Sequence, residues 1–339
     1  MKRVKKLFTP PTFLSFSALG GFEESRGPLG KFFDLCDPSD RFGQDSFEMS
    51  EGELMRQTIN VALSKAHLSH TDIDLVIGGD LQNQCVASSS SVSSFGLPFL
   101  GIYGACSTAT EALLIGSAMI ECGAAGTVLC ATSSHNSAAE RQFRTPLEYG
   151  AQRTPSAQWT STASGAFILC SQSSPLNSAQ NAVKITEFMP GRIISGATTD
   201  STNMGAAMSF AALDSILSYF EESERAPSCF DLIVTGDLGF VGSELLRTML
   251  YERLPMAAER HADCGCLLYD KNKSDVHSGA SGCGTSAAVL ACHFLPLLRS
   301  GELKRILFLS TGALMSPSAV LQGNDILGVA PLIVIEGSN

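Results

Sequence analysis

Charge is scarce in this chain. Only 17% of its 339 residues are charged and 7% are aromatic, with Trp159 the single tryptophan. A disordered chain would be charge-rich and poor in apolar residues, and 44% hydrophobic content excludes that class. Positive charge is scarcer still, since 23 Lys and Arg stand against 33 Asp and Glu, for a net charge of −10. Nucleic acids and anionic membrane surfaces reward clustered cations, so neither is expected as a general partner. Long uninterrupted apolar runs are also missing. The best one, Ala112 to Ala131, is broken by Glu121 and several glycines. It reads as a buried helix followed by a buried strand rather than a membrane span.

Several ligand-binding signatures are absent too. Gly279-Ala-Ser-Gly-Cys-Gly284 lacks the Lys-Ser/Thr of a phosphate loop, and no dinucleotide fingerprint accompanies it. No EF-hand spacing occurs. His261-Ala-Asp-Cys-Gly-Cys266 contains zinc-ligand types, but no second close pair completes them, and Cys266-Leu-Leu-Tyr269 reads as an apolar strand. No metal or cofactor is expected.

What the chain does contain is cysteine, 11 in all. The number is odd, and Cys122, Cys130, Cys170 and Cys292 lie singly in apolar segments. That pattern fits small buried hydrophobes in a reducing cytoplasm rather than a disulfide framework. At the N-terminus Lys2, Arg3, Lys5, Lys6, Leu7 and Phe8 imitate a signal peptide, but Pro10-Pro11 interrupts the apolar core. A solvated tail leading into a first strand is expected.

The chain also repeats itself. Asp74-Leu-Val-Ile-Gly-Gly-Asp-Leu81 returns as Asp231-Leu-Ile-Val-Thr-Gly-Asp-Leu238. Gly104-Ala-Cys-Ser-Thr108 returns as Ser281-Gly-Cys-Gly-Thr285, and Thr127-Val-Leu-Cys-Ala-Thr132 as Arg305-Ile-Leu-Phe-Leu-Ser310. Two halves of one topology, residues 1–180 and 181–339, are expected. In the first, a capping box of Ser50 with Glu53 predicts a helix carrying Leu54, Ile59, Ala62, Leu63 and Ala66 on one face. Strands are predicted at Ile73–Ile77, Thr127–Ala131 and Ala166–Cys170. In the second half Met208, Ala212, Leu213, Ile216, Leu217 and Phe220 mark the equivalent helix, and Leu232–Val234 a strand. Such alternation predicts an α/β fold with mainly parallel strands. The segments Ser107–Ile120 and Thr285–Leu298 hold almost no charge. Helices apolar all round are buried on all sides, so the two are expected to form a middle layer, giving the order helix, sheet, helix, sheet, helix.

This duplicated αβαβα plan, with a Cys opening the first central helix, resembles the thiolase and ketoacyl-synthase superfamily. Gly27-Pro-Leu-Gly30, Gly104-Ala-Cys-Ser-Thr108, Ala131-Thr-Ser-Ser-His-Asn136, Glu140-Arg-Gln-Phe-Arg144 and Glu148-Tyr-Gly150 resemble, in particular, the stage V sporulation protein AD family. So do Thr235-Gly-Asp-Leu238, Asp263-Cys-Gly265 and Thr311-Gly-Ala-Leu-Met-Ser-Pro317. The resemblance implies a thiolase-like dipicolinic acid binder of spore-forming bacteria, taking up dipicolinate, free or as its calcium chelate. It also implies work alongside other stage V sporulation membrane proteins. The expected location is cytoplasmic, peripheral to the spore inner membrane, and the superfamily's habit of pairing subunits through the first sheet implies a homodimer.

Two readings of Cys106 follow. A Cys at a helix N-terminus has a lowered pKa and is placed to be the nucleophile of an acyltransferase. The superfamily pattern also asks for a His after the repeated strand and an Asn before the second central helix. Here those places read Gly236-Asp-Leu-Gly-Phe-Val-Gly242 and Cys283-Gly-Thr-Ser286, with neither residue. The superfamily's C-terminal glycine loop corresponds to Gly328-Val-Ala-Pro331. A nucleophile without base and orienter loses most of its advantage, so a pocket kept for binding is the expected function. An acyltransferase using His135 or His261 is the alternative.

For a dicarboxylate, the helix N-termini at Cys106 and Cys283 offer anion sites. The segment with Ser133, Ser134, His135, Asn136, Arg141 and Arg144 offers donors, Arg being suited to bidentate carboxylate contacts. These eight residues are the expected ligand-binding set. For Arg141 and Arg144 an ion pair with Glu140 or Glu148 stands as the other reading, and for His135 and Asn136 local loop hydrogen bonding. Asp80 and Asp237 occupy matching positions, and a shared turn or cap role is expected of them rather than chemistry.

Overall fold

The computed structural model describes residues 2–143, 153–177, 182–272 and 275–337. The repeat is visible as two sets of five strands. The first comprises β1 (Thr12–Gly20), β2 (Leu75–Gly79), β3 (Phe99–Gly101), β4 (Thr127–Ser134) and β5 (Ala163–Cys170). Its helices are α1 (Phe47–Ala66), α2 (Val86–Ser93), α3 (Thr108–Glu121) and α4 (Asn136–Phe143). The second comprises β6 (Lys184–Met189), β7 (Leu232–Thr235), β8 (His261–Asp263), β9 (Arg305–Leu309) and β10 (Leu332–Glu336). Its helices include α5 (Met204–Ser223), α6 (Gly239–Arg253), α7 (Cys283–Val289) and α8 (Pro317–Leu321).

Strand order is β3-β2-β4-β5-β1 in the first set and β8-β7-β9-β10-β6 in the second. In each, the edge strand and its next two neighbours run parallel, and the remaining pairings are antiparallel. Two separate sheets were the expectation. They are instead joined through β1 and β6 at the single pair Thr12↔Lys184, forming one mixed twelve-stranded sheet with Lys5–Lys6 and Leu35–Cys36 at its margins.

Packing confirms the layer order. On one outer face Met55, Ile59 and Ala62 of α1 cover Val76, Leu129 and Ile168. On the other, Met208, Ala212 and Ile216 of α5 and Leu246 of α6 cover Ile233, Leu307 and Val334. Between them, Ala112 and Leu113 of α3 and Ala287 to Val289 of α7 pack with Phe13, Phe167, Phe308 and Ile333 from both sets of strands. β4 and β5 are buried at every position, as strands covered on both faces must be.

The middle layer is unusually close. A Cβ on Gly165 of β5 would stand 2.6 Å from the carbonyl carbon of Ala287, and one on Gly284 would stand 2.1 Å from the Ala163 carbonyl oxygen. Hydroxyls bind the central elements together. Thr110 Oγ1 donates to Ser310 Oγ at 2.8 Å, and Ser310 Oγ donates to Ser286 Oγ at 3.0 Å.

Three local expectations change. The first outer helix starts at Ser46, whose side chain accepts from Met49 N, while Ser50 donates back to the Ser46 carbonyl inside the helix. The second central helix is not continuous. It runs Cys283–Val289, passes through a π turn at Leu290–Phe294, and resumes as Leu295–Ser300. Pro296 explains the break, because it lacks an N–H and its ring crowds the carbonyl four residues earlier. Residues Cys264–Leu268 form one helical turn rather than a strand, since Asp263 caps it by accepting from Cys266 N at 3.1 Å. No helix among the described residues is long and apolar enough to cross a membrane.

Buried acids hold the outer loops to the core. Glu24 accepts from Gly21 N and Thr162 N and from the Tyr269 hydroxyl. Desolvation raises its pKa to about 7. Glu51 accepts from Gln82 Nε2 and Ser133 Oγ, and burial, reinforced by the charge of Asp80, raises its pKa as well. A folded-state pKa above the unfolded value gives stability that is full below the unfolded pKa and is lost as pH rises through the folded one. Urea unfolding is therefore expected to show the protein less stable at about pH 8.5 than at about pH 5.5, by at least about 1 kcal/mol. For the tight central layer, Gly165→Ala should lower the stability by about 1–3 kcal/mol in the same assay, as overpacking of a filled core does.

Candidate functional site

The site is built where the two halves meet, on the loop before α3. Ala105 sits in the left-handed region at φ 51°, which lifts Cys106 out of the chain path just ahead of the helix. Such a conformation costs a non-glycine residue about 1–2 kcal/mol and persists only where neighbours enforce it. They do so here. Ser107 Oγ donates to the Gly104 carbonyl at 2.7 Å, Thr108 Oγ1 to the Ala105 carbonyl at 2.6 Å, and Gly104 N to Thr108 Oγ1 at 3.0 Å. From the second half, Gly312 approaches so closely that a Cβ would lie 2.2 Å from the Gly104 carbonyl oxygen.

Asp237, just past β7, supplies the electrostatics. It is fully buried, accepting from Ser281 Oγ at 3.2 Å, Gly282 N at 2.9 Å and Thr311 Oγ1 at 3.0 Å. Gly282 reaches it through a φ of 113°, a backbone that favours glycine. None of the three donors is a cation, and burial raises the Asp237 pKa to about 7. Ser281 Oγ also lies 3.6 Å from Cys106 Sγ. The thiol is buried, and desolvation first, then the neighbouring Asp237, push its pKa well above the usual value. The lowering expected from a helix N-terminus is thus overturned, because a carboxylate stands where a cation or imidazole would be needed. No histidine among the described residues is hydrogen-bonded to Cys106. His135 donates from Nε2 to the Asp40 carbonyl, and His261 Nε2 is bonded to Thr235 Oγ1.

Above Cys106 and Ser281 opens a cavity of about 310 Å³. Leu81, Tyr103, Phe143, Met204, Met315 and Leu321 give it mostly apolar walls, with Gln158, Thr160 and Thr202 among its polar groups. Among the described residues its ionisable side chains are Glu140 and Arg153 beside Tyr103 and Cys106. The Arg153 guanidinium stacks on Trp159 at 4.8 Å and is steered by the backbone carbonyls of Asp275 and Val276. Gln158 braces the floor, donating from Nε2 to the carbonyls of Asp237 and Ala280.

Of the ligand-binding set expected from sequence, Cys106 lines this cavity and Cys283 packs behind it. Cys283 Sγ donates to the Ser133 carbonyl at 3.0 Å. The other described members are engaged elsewhere. Ser133 Oγ binds Glu51, and Ser134 Oγ donates to the Ser161 carbonyl at 2.8 Å. His135 is fully buried against Phe47, and burial lowers its pKa. Asn136 Nδ2 donates to the carbonyl of Thr160, so it holds a wall residue rather than forming the wall. Arg141 lies at the surface in a 2.9 Å ion pair with Glu48. Arg144 falls outside the described residues, as does Glu148.

Asp237, Ser281 and Arg153 are the residues the sequence reading did not assign to the site. The repeat flagged Asp237 and Ser281 as matched positions, yet only folding distinguishes Asp237 from its counterpart. Asp80 accepts from Gln82 N, Ser88 N and Ser88 Oγ within its own half, capping α2. Arg153 belongs to no motif.

Comparison with known proteins follows the same lines. Solved structures with the same fold include 3-oxoacyl-[acyl-carrier-protein] synthase III from Aquifex aeolicus VF5, at TM-score 0.56 and 14% identity over 95% of this chain and 99% of that one. A Glu-to-Asp variant of OleA from Xanthomonas campestris superposes at TM-score 0.62 and 13% identity over 97% of each chain. At those identities the likeness shows the thiolase-like fold alone. Sequence goes further: the chain is 39% identical to stage V sporulation protein AD of Bacillus subtilis (strain 168) over 331 residues, 97% of this chain and 96% of that protein. The family description of stage V sporulation protein AD matches residues 1–336. The chain belongs to the stage V sporulation protein AD family.

Proposed function

We propose that the cavity beside Cys106 is a non-catalytic binding site for dipicolinic acid, as the dianion or its calcium chelate, and that the protein serves dipicolinate uptake during sporulation. The observation that carries this reading is the pairing of wall and floor. A mostly apolar cavity of about 310 Å³ suits a single aromatic ring, and Arg153 presents a guanidinium to a carboxylate. At the floor, the thiol faces a buried acid rather than a histidine or a cation, and its pKa is pushed up, which disfavours the thiolate that attack requires. Family membership supports the sporulation role. In this reading the protein meets other stage V sporulation membrane proteins from the cytoplasmic side, peripherally to the spore inner membrane. A homodimer paired through the first set of strands is part of the proposal, supported by β3, which ends the strand order with Leu100 exposed.

An acyltransferase is the second reading, and one observation favours it: the left-handed turn at Ala105 still presents Cys106 to the cavity. Mass spectrometry after incubation with acyl-CoA or acyl carrier protein donors separates the two. No acylation of Cys106 is expected, and acylation with turnover would replace the binding reading by this one.

Calorimetric titration with dipicolinate, with and without calcium, tests the main reading. Saturable binding is expected in the wild-type protein. Arg153→Ala should weaken it by roughly 10–100-fold, the magnitude of a lost charge-assisted contact. Arg141→Ala, which breaks only the surface pair with Glu48, should leave affinity within about two-fold of the wild type. Absence of saturable heat in the wild type under all these conditions would end the proposal.

A further inference from the structure

The floor of the cavity holds an arrangement that binding of an anion must disturb. Cys106 and Ser281 both line the cavity, and both side chains contact Asp237 behind them. Its carboxylate is fully buried and is met by two hydroxyls, one backbone N–H and the Cys106 thiol. The ionisable groups that face it among the described residues are Cys106 before α3, Cys283 at the start of α7, and Asp263 and Cys264 at the end of β8. Every one is neutral or acidic. Asp263 itself is satisfied by Thr235 Oγ1, Leu238 N, Gly239 N and Cys266 N, again without a cation. On the cavity wall proper stand Tyr103, Glu140 and Arg153.

A second carboxylate brought against this floor meets a buried negative charge, and two such charges in a low-dielectric site do not both persist. The hydroxyl between them offers the resolution. With Asp237 ionised, Ser281 Oγ–H points down at Oδ2 and presents only lone pairs to the cavity. With Asp237 protonated, its O–H can donate to Ser281 Oγ, and the serine proton is freed to donate upward.

We infer that Asp237 and Ser281 form a proton-linked gate on affinity: the cavity takes its dicarboxylate together with one proton from solvent, which settles on Asp237 and turns the Ser281 hydroxyl toward the ligand. The balance is one dianion and one proton in, with no bond made or broken in the ligand. The Asp237 pKa of about 7, raised by burial, supports the inference because little work is then needed to protonate it near neutrality. Asp237 acts through Ser281 and is a positioning residue. The direction follows from linkage. Ligand raises the Asp237 pKa, so affinity is full below the free-state value and falls as pH rises above it.

The inference rests on the cavity being the dipicolinate site, and the test separates the two. Wild-type protein is titrated calorimetrically with dipicolinate from about pH 6 to about pH 9, a range in which the ligand stays a dianion, and at about pH 7.5 in phosphate and in Tris. Expected are a fall in affinity approaching ten-fold per pH unit above the Asp237 pKa, and a buffer-dependent heat equal to uptake of up to about one proton. Asp237→Asn, checked for folding by its urea midpoint, should bind with neither pH slope nor buffer-dependent heat. Wild-type binding that is flat with pH and equal in heat in both buffers overturns the proton linkage while leaving the binding reading intact. A slope and heat that survive in Asp237→Asn overturn the assignment to Asp237. No binding at any pH overturns the binding reading itself.

Discussion

The architecture depends on one steric constraint, the narrow gap between the two sets of strands that α3 and α7 must fill. Their backbones lie close enough to the strands that Gly116, Gly165 and Gly284 leave no room for a Cβ without displacement of a neighbour. Ala112, Ala287 and Ala288 share the layer with larger side chains such as Leu113, Phe167 and Phe308, and buried hydroxyls link its elements. The Thr110, Ser310 and Ser286 chain is the clearest case, since it links the first half to the second through fully buried hydrogen bonds. Small side chains let backbones approach, and close backbones bring the loop before α3 against the loops after β7 and β9.

The candidate site is a product of that approach. Cys106 comes from one half, Asp237, Ser281 and Thr311 from the other, and Gly312 allows their loops to touch. The same burial that assembles the groups also sets their protonation. Desolvation disfavours charge on both the thiol and the carboxyl; Asp237 pushes the Cys106 pKa up further, while the thiol's hydrogen bond only partly offsets the rise at Asp237. The loop before α3 thus holds Cys106 as a buried thiol of raised pKa, next to an acid whose own pKa is raised to about 7.

The outer loops show a parallel economy. Glu24, Glu51 and Asp263 are each buried with neutral donors, and each ties a loop to an element that is distant in sequence. These buried carboxylates are held by several hydrogen bonds from neutral donors, whereas buried Glu187 is paired with Arg225. The raised carboxyl pKa values of Glu24 and Glu51 and that of Asp237 in the site share one first cause, burial.

The sequence by itself determined the duplication, the alternation of strand and helix, and the middle layer. Those features are written in local periodicity, in repeated strings and in the absence of charge from two helical segments, all of which are readable along one chain. It also showed no His within Gly236–Gly242 and no Asn within Cys283–Ser286, where the resemblance implied them. The break at Pro296 and the turn after Asp263 were legible in principle, since a mid-helix proline and a capping aspartate are local signals, but the apolar run around each hid them. Tertiary structure alone decided which polar residues meet. Ser133, Ser134, His135 and Asn136 form a donor-rich cluster in sequence, yet their backbone lies at the end of β4 and the start of α4, where Glu51, Asp40, Ser161 and Thr160 take up their bonds. Asp80 and Asp237 are equivalent in the repeat, yet Asp237 alone meets the loop before α7, where Ser281 and Gly282 bind it beside Cys106. A side chain's type is fixed locally, but its partner is fixed by which backbones can approach closely, and that is a property of the packed whole.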